Sequence, residues 1–585
     1  MAGTKKLLKY LKAYRKESIL APLFKLLEAF FELLVPLVVA GIIDRGIAEA
    51  DQGYIFKMGG CLIGLAVIGL LAAVTAQFFA AKAAVGFATR LRQEMFEHIQ
   101  GLDFTTIDRA GTSTLITRMT SDINQVQNGV NMVLRLFLRS PIVVFGAMIM
   151  AFTIDVKSAL VFVATIPALA VVVMGITFFT IPLYRKVQAA LDKVLSTTRE
   201  NLTGVRVIRA FHRESLEEEQ FHDENMVLVK LQQFVGKISA CMNPVTYVIV
   251  NAAVIFLVYI GAVHVDNGVL TSGEVVAILN YMSQILVELI KLANLIVTIT
   301  KAMACADRVA SVFELQENME TGKTGNDVAK QAAGDAFLRF DHVGLTYKGA
   351  GAETLHDIDF TVQKGETVGI IGGTGSGKSS VVNLIAGFYP TTEGAVLLEG
   401  RDLKDIPAKE YRNRIGMVPQ KAVLFKGTIR SNLLWGKKDA TDEELWQAID
   451  LAQAREVVEG KEGGLDAKIA QNGRNLSGGQ RQRLTIARAL VRKPDILILD
   501  DSASALDYAT DAKLRTAIKS LDGAMTTFIV SQRASSIRHA NKILVLDDGE
   551  MAGIGTHDEL LAGCEVYQEI YYSQYPEEKG KAAFA

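Results

Sequence analysis

The sequence predicts two fold classes in series: an α-helical membrane domain of six spans with long cytoplasmic helical extensions, then an α/β domain built around a phosphate-binding loop. Three observations carry this reading. Apolar stretches long enough to cross a bilayer recur six times before residue 311. The chain then turns polar over 312–336. Beyond that, the run Gly372-Gly373-Thr374-Gly375-Ser376-Gly377-Lys378-Ser379 lies between an apolar strand (Thr367–Ile371) and a helix (Ser379–Gly387), the setting that a phosphate-binding loop requires.

At 585 residues the chain exceeds one ordinary domain. Half of its residues are hydrophobic and 21% are charged, and the two populations are segregated along the chain. The expected organisation is a transmembrane domain over 1–311, a linker over 312–336 and a nucleotide-binding domain over 337–585. A net charge of −1 argues against nucleic acid as a partner, because backbone binding needs a concentrated basic surface. The four cysteines (Cys61, Cys241, Cys305 and Cys564) are scattered without metal-ligand spacing and read as packing residues.

The expected spans are about 18–46, 55–84, 127–154, 157–183, 238–265 and 273–303. Lys5, Lys6, Lys9, Lys12, Arg15 and Lys16 precede the first, forming a basic amphipathic segment expected along the inner surface of the bilayer. The positive-inside tendency then puts the N-terminus in the cytoplasm, and an even number of spans returns the second domain there too. The links after the second and fourth spans, about 85–126 and 184–237, are rich in Arg, Lys, Glu and Gln at helical spacing with few breakers. They are expected to be membrane helices continuing outward and returning, with a contact element between each pair: Asp108 through Asp122, and Gly204 through Phe211. Glu28 and Glu32 lie one helical turn apart in the first span and share a face; they either line a cavity, where they would favour cationic compounds, or occupy a hydrated position near the inner membrane edge. Glu288 and Lys291 in the last span can pair at i, i+3.

In the second domain, the loop glycines let backbone N–H groups approach phosphates, and the following helix adds its N-terminal dipole. Lys378 is expected to reach the β/γ-phosphates and the Ser379 hydroxyl to coordinate Mg²⁺. Ile496–Asp500 reads as a buried strand ending in a carboxylate, with Asp500 placed to hold Mg²⁺ through water.

Leu476-Ser477-Gly478-Gly479-Gln480, followed by Arg481-Gln482-Arg483, is a far rarer pattern, on the order of one chain in a thousand or fewer at average composition. With it, the chain resembles an ATP-binding cassette (ABC) exporter half-transporter over nearly its whole length. The resemblance implies ATP and Mg²⁺ as cofactors, a lipid bilayer, and a second half-transporter as partner. It also implies that Tyr347 stacks on adenine, that Gln420 links Mg²⁺ to the membrane domain, and that Ser504–Asp507 crosses between two cassettes. In this family the cassettes close head to tail, so Ser477, Gly478, Gly479 and Gln480 would serve the ATP held by the partner. The elements at Asp108–Asp122 and Gly204–Phe211 resemble the family's coupling helices.

Two positions depart from the family pattern. Asp501 stands where a glutamate usually activates water, and Gln532 stands where a histidine usually contacts the γ-phosphate; upstream, Gln471 also replaces a common glutamate. Asp501 is one methylene short, and Gln532 cannot carry charge, so slow hydrolysis is expected at this chain's own ATP. The reading that follows resembles bacterial heterodimeric multidrug exporters. The chain would be the subunit with the degenerate site, exporting amphipathic small molecules across the cell membrane. The alternatives are a homodimeric exporter of lipid or peptide, and an ATP-gated channel or sensor.

Overall fold

The computed structural model describes residues 6–315, 336–347, 350–502, 504–521 and 525–582. The chain divides into two compact units, Met1–Gln100 with Thr112–Leu315, and Gly101–Gly111 with Gln316–Ala585. Most of the expected linker lies outside the described residues.

Among the described residues, six helical rods are long and apolar enough to cross a membrane: Leu8–Ile47, Gln52–Gly101, Thr112–Ile154, Val156–Ala210, Glu214–Asp266 and Ser272–Val312. Each contains one expected span. The second, fourth and fifth have 50, 55 and 53 residues; at about 1.5 Å per residue each exceeds twice the roughly 30 Å hydrocarbon core. The helical spacing of charge in the long links therefore reports real helix beyond the bilayer. The second rod buries Ala72, Ala76, Ala80, Ala84 and Ala88, a stripe of small residues that lets neighbouring backbones approach closely. Its large apolar side chains, such as Phe56 (82% exposed), Leu70 and Phe78, face outward, as a lipid-facing surface should.

The rods are tied by polar contacts. Arg308 donates to both oxygens of buried Asp122, from Nε at 2.9 Å and Nη2 at 2.6 Å. The Asp44 carboxylate accepts from Thr271 Oγ1 (2.5 Å) and Gly273 N (2.7 Å), joining the end of the first rod to the start of the sixth. The third rod is not continuous: one helix ends at Leu136, another begins at Arg139, and Phe137 and Leu138 form a turn. Pro141 has no N–H to donate to the Phe137 carbonyl, which accounts for the break.

The first contact element differs from expectation. It is a short helix α1 (Phe104–Ala110), N-capped by Asp103, whose carboxylate accepts from Thr106 N at 2.6 Å. Gly111 ends it at φ +75°, and Thr112–Asp122 already belong to the third rod. Residues 101–111 cluster with the nucleotide-binding residues. Gly204–Ala210 are the last turns of the fourth rod, followed by a turn in which His212 takes φ +51°.

The second unit has a six-stranded sheet of order β12-β11-β3-β10-β9-β6 and a four-stranded sheet of order β2-β1-β4-β5. The strands are β1 (Leu338–Leu345), β2 (Leu355–Val362), β3 (Thr367–Gly372), β4 (Glu393–Leu398), β5 (Arg401–Asp402), β6 (Ile415–Val418), β7 (Gly427–Thr428), β8 (Lys468–Ile469), β9 (Ile496–Asp500), β10 (Thr526–Val530), β11 (Lys542–Asp547) and β12 (Glu550–Gly555). In the larger sheet β11, β3, β10, β9 and β6 are parallel, and antiparallel β12 forms one edge. Parallel strands buried on both faces read as continuous apolar runs, which is what Ile496–Leu499 and Phe528–Val530 are. Val530 pairs with both Ile370 and Asp500, so the C-terminal ends of β3, β10 and β9 arrive side by side. Ligands bind at such strand ends in open α/β sheets.

Candidate functional site

The loop after β3 leads into α2 (Lys378–Ile385). Gly375 and Gly377 sit at φ +88° and +92°, and a Cβ on Gly377 would stand 2.5 Å from Leu355 Cδ2, so glycine is required there on two counts. The Lys378 ammonium folds back over the loop, donating to the carbonyls of Gly372 (3.0 Å) and Gly373 and to Ser376 Oγ (3.3 Å). Thr374 and Ser379 are exposed at the mouth of the loop.

Asp500 ends β9 in a buried position, and Asp501 follows it with φ +44°. Burial, then the neighbouring Asp501 charge, push the Asp500 carboxyl above the usual carboxylate range, against Lys378. Burial also pushes Asp501 up, partly offset by Gln420, whose Nε2 stands 3.4 Å from Asp501 Oδ2. Burial pulls Lys378 below the usual lysine range, although both aspartates favour its charge. Buried Asp500 and partly buried Asp501 share the Lys378 ammonium, with Arg533 also acting on Asp501; a divalent cation here would relieve the repulsion between the two carboxylates. Ser379, Asp500 and Gln420 each have a side-chain oxygen to offer, the donor Mg²⁺ prefers. No cluster of three or more His, Cys, Asp or Glu side chains that could hold a metal ion exists among the described residues.

Tyr347 donates from its hydroxyl to Ser380 Oγ at 3.2 Å and meets Tyr389 edge-on, with centroids 5.0 Å apart at 89°. Tyr389 in turn donates to Asp108 Oδ2 (2.5 Å), and Phe388 packs on Phe104 at 4.6 Å, so the expected adenine aromatic is linked by contact to α1. Neither Tyr389 nor Phe388 was legible as a site residue; the only signal was an aromatic pair just beyond α2.

Ser477 is the N-cap of α3 (Gly478–Leu490): its Oγ accepts from Gln480 N at 3.3 Å, and Gln480 Oε1 accepts from Ser477 N at 3.0 Å. This is a capping box, a local role the motif reading had overlooked. Gly478 is unobstructed, whereas a Cβ on Gly479 would lie 3.0 Å from Ala505 O, so the signature and the Ser504–Asp507 loop pack together within the chain. Ser504 folds onto Asp501 O (2.8 Å), and Asp507 caps the next helix by accepting from Thr510 N (2.9 Å). Gln471 lies upstream, in a short turn where Asn472 takes φ +57°.

Gln532 is exposed beyond the end of β10. Its loop is held from α5 (Glu565–Gln574), the fifth helix when α4 is Tyr508–Lys519. Gln574 Nε2 donates to Gln532 O at 2.7 Å, while its Oε1 accepts from Ala534 N at 2.9 Å. Sequence reading missed Gln574, which has no motif around it.

In the membrane unit, the expected Glu288–Lys291 pair forms at 2.8 Å. Glu28 and Glu32 do border cavities, and each is engaged by a cation. Buried Arg139 (6% exposed) donates to Glu32 Oε2 at 2.6 Å and Glu288 Oε1 at 2.5 Å, and Lys25 pairs with Glu28 at 2.5 Å. These groups border two cavities of about 360 and 390 Å³. A lone arginine in an apolar span was the available signal for Arg139. Of the cysteines, Cys305 and Cys564 are buried as packing residues should be; Cys61 and Cys241 are exposed.

Comparison with known proteins identifies both parts of the chain. Residues 18–289 match the ABC transporter transmembrane region, and residues 355–504 match the ABC transporter family model. The chain is 36% identical over 574 residues to an uncharacterized ABC transporter ATP-binding protein, YfiB, of Bacillus subtilis, covering 98% of this chain and 99% of that protein. It is 31% identical over 585 residues to a putative multidrug export ATP-binding/permease protein, YgaD, of the same organism, covering 98% and 100% respectively. A solved bacterial Atm1-family ABC exporter with ATP bound shares the fold at TM-score 0.77 and 23% identity, over 96% of this chain and 98% of that one. The chain therefore belongs to the ABC transporters, as an exporter half in which one polypeptide carries a multi-pass membrane domain and its ATP-hydrolysing cassette.

Proposed function

We propose that this chain is the degenerate-site subunit of a heterodimeric exporter of amphipathic small molecules. It would hold one ATP durably and lend Ser477–Gln480 to the active site completed with its partner. The observation that carries this is the pair Asp501 and Gln532: both hydrolytic positions depart from the family pattern, while every group needed for binding is present. The Bacillus subtilis relative named for multidrug export supports the substrate class. At the outer end of the fourth rod, Leu202, Val207 and Phe211 are 73, 61 and 73% exposed. Large side chains so presented in water call for a covering surface, as a dimer would provide. The basic residues from Lys6 to Lys16 favour a cytoplasmic N-terminus and cassette.

In this reading Lys378 leaves the Gly372 and Gly373 carbonyls to meet the β/γ-phosphates, and Tyr347, already fixed by Ser380 and Tyr389, receives the adenine. Ser379, Asp500 and Gln420 would hold Mg²⁺, which neutralises charge on the phosphate oxygens. Asp501 must bring a carboxylate within about 2.6–3.2 Å of an attacking water. With a side chain one methylene short it forfeits much of a general-base contribution typically worth about 10²–10⁴-fold. Ser477 Oγ uses a lone pair on Gln480 N, which leaves its O–H free to donate to a γ-phosphate across the dimer.

The test uses the purified native complex at saturating ATP. Asp501→Asn should leave most of the steady-state ATPase, because that site turns over little. Ser477→Ala should cut it severely, since one transition-state donor is worth roughly 10²–10³-fold in other enzymes. Comparable losses from both substitutions would instead indicate a homodimer with two equivalent sites.

A further inference from the structure

We infer that the charged cavity of the membrane unit recognises the anionic head group of an amphiphile, with Arg135 as its principal ligand. The inference rests on the export reading and names the substrate class within it. Four cations surround the two cavities: Lys25, Arg135, Arg139 and Lys291. They face three carboxylates, Glu28, Glu32 and Glu288, and all three are engaged. Glu288 is the most heavily used, taking Arg139, Lys291 and Ser140 Oγ, the last at 2.8 Å. Arg135 is the surplus charge. It has no ion-pair partner among the described residues, and its Nε is buried without a hydrogen bond.

An ionised group at membrane depth without a counter-charge is costly and marks a functional position by default. The surrounding acids pair with Arg139, Lys25 and Lys291, and none of them pairs with Arg135. The local backbone points the same way. Arg135 and Arg139 flank the break caused by Pro141, and the 16-residue helix Arg139–Ile154 starts at the cavity wall. Its N-terminal end favours negative charge. The two cavities meet at Lys291, which lines both. The one holding Arg135 is otherwise lined by Met132 and Leu136 and by charged groups, while the other offers Val35, Pro36, Val39, Val143 and Val287. A charged head beside Arg135 and an apolar body along the valines fit this division.

The experiment takes the native complex in phosphatidylcholine nanodiscs without nucleotide. Two probes share one fluorescent 12-carbon chain and differ in the head: a phosphate or a trimethylammonium. Anisotropy should show the phosphate probe bound at least tenfold more tightly, the size of one charge-assisted contact. Arg135→Gln should remove most of that preference, and Arg135→Lys should keep much of it. Inorganic phosphate at millimolar concentration should not displace the probe, because it lacks the apolar body. Equal binding of the two heads overturns the inference, as does a preference unchanged by Arg135→Gln or displacement by inorganic phosphate. Size measurement on each variant reports assembly; an Arg135→Gln complex that falls apart while Arg135→Lys shows no head-group preference also counts against it. ATP-driven transport in proteoliposomes is scored separately. Retained binding without transport would sink the export reading alone, and transport without head-group preference would sink this inference alone.

Discussion

Asp500 shows how a residue suited to binding can burden the protein that carries it. Its carboxyl is raised above the usual range by burial and by Asp501. A group whose folded pKa is raised lends stability below the unfolded value, and that contribution is lost as pH rises through the folded value. At neutral pH its buried charge is therefore a cost. Asp500→Asn should raise the thermal transition of the nucleotide-free protein at neutral pH, with the gain shrinking as pH falls into the carboxylate range. The same variant should lose the extra stabilisation that Mg²⁺–ATP gives the parent. Scanning calorimetry with and without nucleotide measures both effects, and a lowered nucleotide-free transition would contradict the electrostatic argument. The membrane residues teach a similar lesson. Glu288 and Lys291 pair as their spacing foretells, since neighbours on one helix are written in the sequence. Arg139, which pairs with Glu32, lies more than a hundred residues from it and only packing brings it there.

Helix α3 begins on a side chain with a structural role of its own. Ser477 caps the helix from within its own chain, whatever its duty toward a partner's nucleotide. Removing an N-cap costs typically about 1 kcal/mol, or roughly 2–4 °C for a domain of this size. Ser477→Ala should therefore lower the cassette's thermal transition slightly as well as depress ATPase. Ser477→Asp restores the cap acceptor without a proton to donate, so it should recover the transition and leave ATPase low. Recovery of both would show that the serine acts through helix stability alone. The elements themselves were mostly legible. Six spans, the helical extensions, the strand at Ile496–Asp500 and the loop–helix junction at Lys378 follow from periodicity and punctuation. The extent of the first contact element was not: Gly111 closes α1 after Ala110, and the Ser/Thr-rich run that follows starts a rod.

At the scale of the whole molecule, the unresolved demand is the hairpin tip at Leu202, Val207 and Phe211. No packing need within the fourth rod explains such exposure, and a partner's cassette would satisfy it. Phe211→Ser should leave nucleotide binding by the cassette intact, while substrate-stimulated ATPase and transport both fall several-fold in the assembled complex. Titration with a fluorescent ATP analogue and a proteoliposome transport assay distinguish the two. Undiminished coupling would show that the tip has no receiving surface.

The sequence by itself determined the order of the two fold classes, the number of spans, the glycine-rich loop between strand and helix at Gly372–Ser379, and the two positions, Asp501 and Gln532, that depart from the family pattern. Each is local: hydropathy over about 20 residues, glycine spacing, or a short motif carries the information without reference to distant parts of the chain. Only the tertiary structure decided which charges meet. It set Asp500, Asp501 and Gln420 together through the pairing of β9 with its parallel neighbours. It placed Gln574 against the Gln532 loop, and it neutralised Glu28 and Glu32 with Lys25 and Arg139 while leaving Arg135 over. Side-chain electrostatics depend on separations of a few ångströms across elements remote in sequence. No periodicity encodes those separations, so the sign of the cavity emerges only once the helices are packed.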